Sequence, residues 1–151
     1  MRPPDSLPAA RLAIKFMSLF KKILIVVLAV IVLFIVIQII NAAKYRMLVN
    51  VVEGENVMGV NPTAERLDFG DLSRNNGMTR YVTLTGGGKS SAYIMVWKFG
   101  GISDLVKLDK NYFTLKGGEE AKISFQITIP PSAPIKKYSG WAWVFRLPKL
   151  F

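Results

Sequence analysis

An uncharged run of apolar residues near the N-terminus constrains this chain more than any other feature. The run extends from Ile23 to Ile40, and Gln38 is its one polar residue. As a helix that rises 1.5 Å per residue it would be about 27 Å long, close to the ~30 Å hydrocarbon core of a bilayer. The sequence therefore predicts one N-terminal transmembrane α-helix, followed by a single folded domain of roughly a hundred residues.

The charges around this run predict its orientation. Five basic residues precede the run, and Lys44 and Arg46 follow it closely. Because the more basic flank of a span stays in the cytoplasm, we expect an uncleaved signal anchor in the cytoplasmic membrane, with the N-terminus inside. The expected divisions are a basic cytoplasmic or juxtamembrane segment at 1–22, a transmembrane signal anchor at 23–43 and an extracytoplasmic domain at 44–151.

Two alternatives to this layout stay open. Asn41-Ala42-Ala43 offers small residues at which a signal peptidase could cut, although the run exceeds the ~7–15 residues of ordinary signal sequences and Asn fits the cleavage pattern poorly. Met17 could also be the true start, because Met17-Ser-Leu-Phe-Lys-Lys22 is by itself a short positive segment. With the longer start, Ala9 to Phe20 would form an amphipathic helix in the inner membrane interface.

The composition lowers the prospect of catalysis or metal binding. The sequence has no cysteine and no histidine, so it lacks a disulfide framework, thiolate ligands and the usual general base near neutral pH. The net charge of +10 is concentrated around the apolar run, which indicates anionic lipid headgroups rather than nucleic acid. We expect no enzyme activity, no cofactor, no metal and no nucleic acid. The expected partners are the lipid bilayer and a protein or envelope glycan.

After the run, helical periodicity gives way to short apolar segments separated by Gly, Asn, Asp and Pro. The clearest segment is Lys122 to Pro130, in which Ile123, Phe125 and Ile127 alternate with polar residues. Such spacing predicts an all-β antiparallel sandwich of about seven strands. The expected strands are Met47–Val52, Met78–Thr85, Ala92–Phe99, Leu105–Leu108, Tyr112–Leu115, Lys122–Pro130 and Gly140–Leu147.

Several motifs in this region together resemble a known class of module. They are Leu67-Asp-Phe-Gly70, Tyr81-Val-Thr-Leu-Thr85, Phe113-x-Leu115-x-x-Gly118-Glu119, Ile123-x-Phe125-x-Ile127-x-Ile129-Pro130 and Tyr138-x-Gly140. The pattern is similar to the immunoglobulin-like β-sandwiches outside prokaryotic membrane anchors, of the abnormal-spindle/hydin-like or major-sperm-protein-like kind. The resemblance implies an Ig-like sandwich that binds or spaces other molecules and has no shared catalytic residues. By layout alone the chain also resembles archaellum stator subunits.

The last expected strand carries the one candidate binding surface. Trp141, Trp143 and Phe145 share one face of this strand, and Ala142, Val144 and Arg146 share the other. Large apolar side chains usually lie inside, so the favoured interpretation puts the three aromatics in the core with Trp97 stacked nearby and Arg146 outward. In the alternative, the small residues face the core, and the aromatics form a surface for a protein, a glycan or the outer leaflet.

Other polar groups are better explained as solvated turns than as sites. Glu65, Asp68 and Asp71 lack the spacing of a calcium loop, and the Glu119-Glu120 pair has no evident partner carboxylates for hydrolysis. The adjacent residues Lys89 and Ser90 are not evidence for a catalytic Ser–Lys dyad. The glycines at 86–88 are followed by neither a helix nor a G-K-[ST] sequence, so a phosphate cradle is not expected. Proline disqualifies Asn61-Pro-Thr63 as a glycosylation acceptor.

These observations predict a single-pass, membrane-anchored, Ig-like binding or scaffold protein of the cell envelope, or an accessory subunit of a membrane complex. The alternative is an assembly component of a surface filament or motor that acts through edge-strand pairing. An envelope hydrolase is the remote alternative.

Overall fold

The computed structural model describes residues 8–59, 67–88 and 90–149. For residues 8–18 it describes the backbone but not the side chains, so the amphipathic stripe expected there lies outside the described part. The chain forms a helical unit that ends at Ile40 and a β unit that begins at Asn41. Helix α1 runs Pro8–Asn41, and its part Leu19–Asn41 has a mean hydropathy of 3.6. The predicted N-terminal apolar helix is confirmed. It has the length and composition of a membrane span, which a signal sequence can share.

The β unit contains two sheets. Its strands are β1 (Ala43–Val52), β2 (Met58–Gly59), β3 (Leu67–Ser73), β4 (Gly77–Thr85), β5 (Ala92–Gly100), β6 (Val106–Leu108), β7 (Tyr112–Leu115), β8 (Glu120–Thr128) and β9 (Lys137–Pro148). One sheet has six strands in the order β2-β3-β1-β9-β5-β7, and the other has three in the order β4-β8-β6. The β1–β3 pair is parallel and the other pairs are antiparallel, so the expectation of a wholly antiparallel fold misses this pair.

Both sheets contribute side chains to one hydrophobic core, as the layers of a sandwich do. In β8, Ile123, Phe125 and Ile127 are fully buried while Gln126 is exposed, so the alternation predicted there is confirmed. Met47 and Leu67 of the six-stranded sheet belong to the same core cluster. The prediction of a mostly β domain after an apolar helix is therefore correct.

Strand β1 lies in the interior of the six-stranded sheet. Its residues from Ala43 to Asn50 pair with β9, and those from Met47 to Val52 pair with β3. Among the described strands, β1 alone joins β3 to β9. The strand begins at Ala43, four residues before the start predicted from sequence, because Lys44 and Arg46 pair with β9 as well as flanking the helix.

The structure explains why the first residue of the 86–88 loop is glycine. The Gly86 amide donates to the Glu119 carbonyl at 2.7 Å, and the Gly86 carbonyl accepts from the Gly118 amide at 3.1 Å. A Cβ atom at Gly86 would lie 2.1 Å from the Lys116 carbonyl oxygen. The loop therefore packs against the turn before β8 too closely for any side chain.

Candidate binding surface

The two faces of β9 are reversed relative to the favoured sequence interpretation. Ala142 and Val144 are fully buried in the core, whereas Trp141 is 42% exposed. Trp141, Trp143 and Phe145 therefore lie on the outer face of the six-stranded sheet. The interpretation of Trp141 and Trp143 as core residues is wrong, whereas Phe145 is buried although it lies on the outer face.

Small side chains suit the inner face of β9 because the core above them is already filled. A Cβ atom at Gly140 would lie 2.8 Å from Cγ2 of the fully buried Ile102. Ala142 and Val144 share a core cluster with Phe125 of the opposite sheet. Large aromatic rings have no room on this face, so the packing places them on the other.

Arg146 does not support the favoured interpretation, because it lies on the same side of β9 as Ala142 and Val144. It is exposed near the end of the strand, where its Nη1 donates to the Thr85 carbonyl of β4 at 3.3 Å. An arginine at the end of an inner face can reach solvent, so its charge does not identify the outer face.

Strand β5 adds more aromatic residues to the same outer face. In the register of β5 with β9, Trp97 pairs with Trp143 and Phe99 pairs with Trp141. On the far side of β5, Tyr112 of β7 pairs with Met95. We define the aromatic face as the outward residues Tyr93, Trp97, Phe99, Tyr112, Trp141, Trp143 and Phe145.

The rings of the aromatic face contact one another across the strands. The Trp97 and Phe145 centroids lie 5.5 Å apart, and the Phe99 and Trp143 centroids lie 5.1 Å apart, both edge to face. Tyr93 and Tyr112 stack in parallel with centroids 6.0 Å apart. Such contacts fix the rings with little remaining side-chain freedom, so binding through them would cost little conformational entropy.

Much of this surface is open to solvent in the β unit. Tyr112 is 61% exposed, Trp97 57% and Phe99 41%, while Phe145 is only 6% exposed beneath its neighbours. Isolated exposed apolar residues are ordinary, but a contiguous group of aromatic rings on a sheet is typical of an interaction surface.

Cations border the aromatic face and interact with its rings. Lys44 of β1 pairs in register with Trp143, and its Nζ lies 5.1 Å from the Trp143 ring centroid. Arg46 pairs with Trp141, and the Nζ of Lys149 lies 5.6 Å from the Tyr93 ring. The outward positions of the described strands β5, β7 and β9 hold no aspartate or glutamate, and neither do those of β1 between Lys44 and Leu48.

Trp143 has one polar atom without a protein partner. Its indole Nε1 is buried and makes no hydrogen bond to any described residue. An indole N–H normally has a partner when it is removed from water, and leaving it unpaired costs free energy. This donor is an unmet polar group at the centre of the aromatic face.

The acidic groups considered from sequence do not converge on a site in the described parts of the chain. Glu65, Lys89 and Asn61-Pro-Thr63 lie outside the described residues. Asp68 is buried on β3, where its Oδ1 accepts from the Gly70 amide at 2.8 Å, so it does not lie in a solvated turn. Asp71 accepts from Asn50 at 3.0 Å. No group of acidic residues suited to a metal ion occurs among the described residues.

Sequence reasoning missed the contributions of β5, β7 and β1 to this surface. A signal was present in β5, where Tyr93, Met95, Trp97 and Phe99 alternate with the core residues Ile94 and Val96. That alternation marks one aromatic and one aliphatic face. The role of Lys44 and Arg46 was hidden, because both were read only as charges that flank the apolar run.

No family model, no curated protein and no solved structure matches this chain.

Proposed function

We propose that this chain is a single-pass, membrane-anchored, Ig-like binding or scaffold protein of the cell envelope. In this proposal α1 anchors the chain with its N-terminus in the cytoplasm, and the β unit lies outside and acts without catalysis. The observation that carries the proposal is the aromatic face, a contiguous group of exposed rings bordered by cations. The absence of histidine and cysteine from the sequence favours binding over chemistry.

The strand order supports the Ig-like part of the proposal. In an immunoglobulin sandwich, strands B, E and D are neighbours in one sheet, and C and F are neighbours in the other. Here the order β4-β8-β6 corresponds to B-E-D, and the β5–β9 pair corresponds to C and F. In that fold the last strand, G, lies beside F. Here β1 takes this position beside β9, and like G it is antiparallel to the strand it pairs with.

Site-specific photo-crosslinking in cells tests whether the aromatic face binds anything. A benzophenone amino acid would replace Trp97 in the full-length chain, and in a control chain it would replace Gln126, an exposed residue of the three-stranded sheet. We expect light-dependent adducts, of protein, glycan or lipid, at position 97 and few at position 126. Equal yields at the two positions would refute the assignment of binding to the aromatic face.

The second candidate function is assembly through a sheet edge. Strand β4 has nine residues and, among the described strands, pairs only with β8. A long unpaired edge can accept a strand from another copy of the chain. Measurements of the molecular mass in detergent test this function. A mass that rises with protein concentration would favour it, provided that Thr83→Lys on β4 abolishes the rise and Thr114→Lys on β7 does not. A constant mass would reject it.

A further inference from the structure

We propose that the aromatic face binds the headgroup region of an anionic lipid bilayer, and so holds the β unit against the surface of the membrane that contains α1. This inference rests on the proposed function, because it names the ligand of the same surface.

The side-chain chemistry of the face suits the interface between hydrocarbon and water. Tryptophan and tyrosine are enriched at this depth because each combines an apolar ring with a polar N–H or O–H group. Trp97, Trp141 and Tyr112 are all exposed to solvent in the β unit.

The charge around the face favours anionic lipid over other ligands. Lys44, Arg46 and Lys149 border the rings, and the outward positions of the described strands β5, β7 and β9 carry no carboxylate. The nearest carboxylates on the sheet, Asp68 and Asp71, lie on β3 beyond β1. A cation near an anionic membrane surface strengthens binding by about fivefold.

The covalent linkage to α1 makes the bilayer the ligand at the highest local concentration. Helix α1 ends at Asn41, and Lys44 is three residues further along the chain. Three residues reach at most about 11 Å, and Trp143 lies one strand spacing, about 5 Å, from Lys44. When α1 spans a bilayer, this tether limits how far Lys44 can lie from the headgroups, so even a weak affinity of the face for lipid would act at a high effective concentration.

Intrinsic fluorescence can test the inference, because all three tryptophans of the chain, Trp97, Trp141 and Trp143, lie on the aromatic face. The full-length chain would be reconstituted into phosphatidylcholine vesicles with or without phosphatidylglycerol. Quenching by lipids brominated near the headgroup would be compared with quenching by acrylamide in the water. Both leaflets have the same lipids and acrylamide would be present on both sides of the vesicles, so the direction of insertion does not affect the result.

With phosphatidylglycerol present, we expect strong quenching by brominated lipid and weak quenching by acrylamide. The double variant Lys44→Glu and Arg46→Glu should shift the equilibrium away from the membrane by on the order of a hundredfold or more, since four units of charge change at about fivefold each. The control variant Lys107→Glu and Lys122→Glu makes the same charge change on exposed residues of the three-stranded sheet. It should leave both kinds of quenching unchanged.

Strong acrylamide quenching with no effect of brominated lipid, in every vesicle, would overturn the inference. Protection from acrylamide without quenching by lipid would mean that protein covers the face, and this would also overturn the lipid assignment. Coverage of the face by protein would leave the proposed function intact, because the proposed function fails only if crosslinking shows no preference for the aromatic face. Equal responses of the two double variants would contradict the role given to Lys44 and Arg46.

Discussion

The neighbouring residues Trp141 and Ala142 allow a direct test of which face of β9 is inside. Leucine at position 142 should destabilise the β unit, because Ala142 is fully buried and lies in register between Tyr45 of β1 and Lys98 of β5. Three added carbon atoms in a filled core cost about 1–3 kcal/mol. Trp141→Leu exchanges one apolar side chain for another at a partly exposed position, so it should cost about 1 kcal/mol or less.

Thermal unfolding of the full-length chain in detergent, followed by the near-ultraviolet dichroism of the aromatic residues, measures both changes. For a domain of this size, 1 kcal/mol corresponds to roughly 4–8 °C in the melting midpoint. We therefore expect Ala142→Leu to lower the midpoint by roughly 5–20 °C, and Trp141→Leu to lower it by only a few degrees. The signal amplitude of the Trp141 variant will fall, but the comparison uses the midpoint alone.

The opposite order of the two midpoints would refute the assignment of faces. If the aromatic residues formed the core, Trp141→Leu would leave a cavity and be the more damaging change. Ala142→Leu would then add carbon atoms on a solvent-facing position with little effect on stability. Because the same residue is introduced at both positions, the strand propensity of leucine cannot account for a difference between them.

Three further predictions concern other parts of the molecule. Phe125→Ala should cost about 3–5 kcal/mol in chemical unfolding while Gln126→Ala stays within about 0.5 kcal/mol, and equal costs would contradict the alternation in β8. Gly86→Ala should cost on the order of 2 kcal/mol because its Cβ would meet the Lys116 carbonyl, whereas Gly87→Ala has open space and should be neutral; a stable Gly86 variant would show that the loop can move away. Protease added to intact cells or spheroplasts should digest the β unit and spare the N-terminus, and a fully protected β unit would reverse the proposed orientation.

The sequence predicted the β8 strand and its faces because only one of its faces is apolar. Ile123, Phe125 and Ile127 alternate with polar residues, so the buried side is unambiguous. In β9 both faces are apolar, and alternation alone cannot show which one faces the core. The choice depends on the space left by Ile102 and the opposite sheet, and this is known only once the sheets are packed.

Strand β3 was absent from the strands predicted on periodicity for a different reason. Asp68 and Gly70 are residues typical of a turn, and their local hydrogen bond is of the kind that turns use. Their place in a sheet depends on parallel pairing with β1, which starts some twenty residues earlier in the chain. Local patterns do not report such pairings, and the same limit concealed Lys44 and Arg46 as members of the candidate binding surface.

The interior position of β1 has a consequence for biosynthesis. This strand is the first part of the β unit to leave the ribosome, yet Ala43 pairs with Val144 of β9, the last described strand to be made. Until β9 emerges, the buried side of β1 has no neighbour on that flank, and Met47 and Val49 lack part of their cover. Contacts between residues so distant in the chain form late. A polypeptide that stops before β9 therefore cannot close its larger sheet, and it presents apolar strand edges to the proteases that remove unfinished proteins.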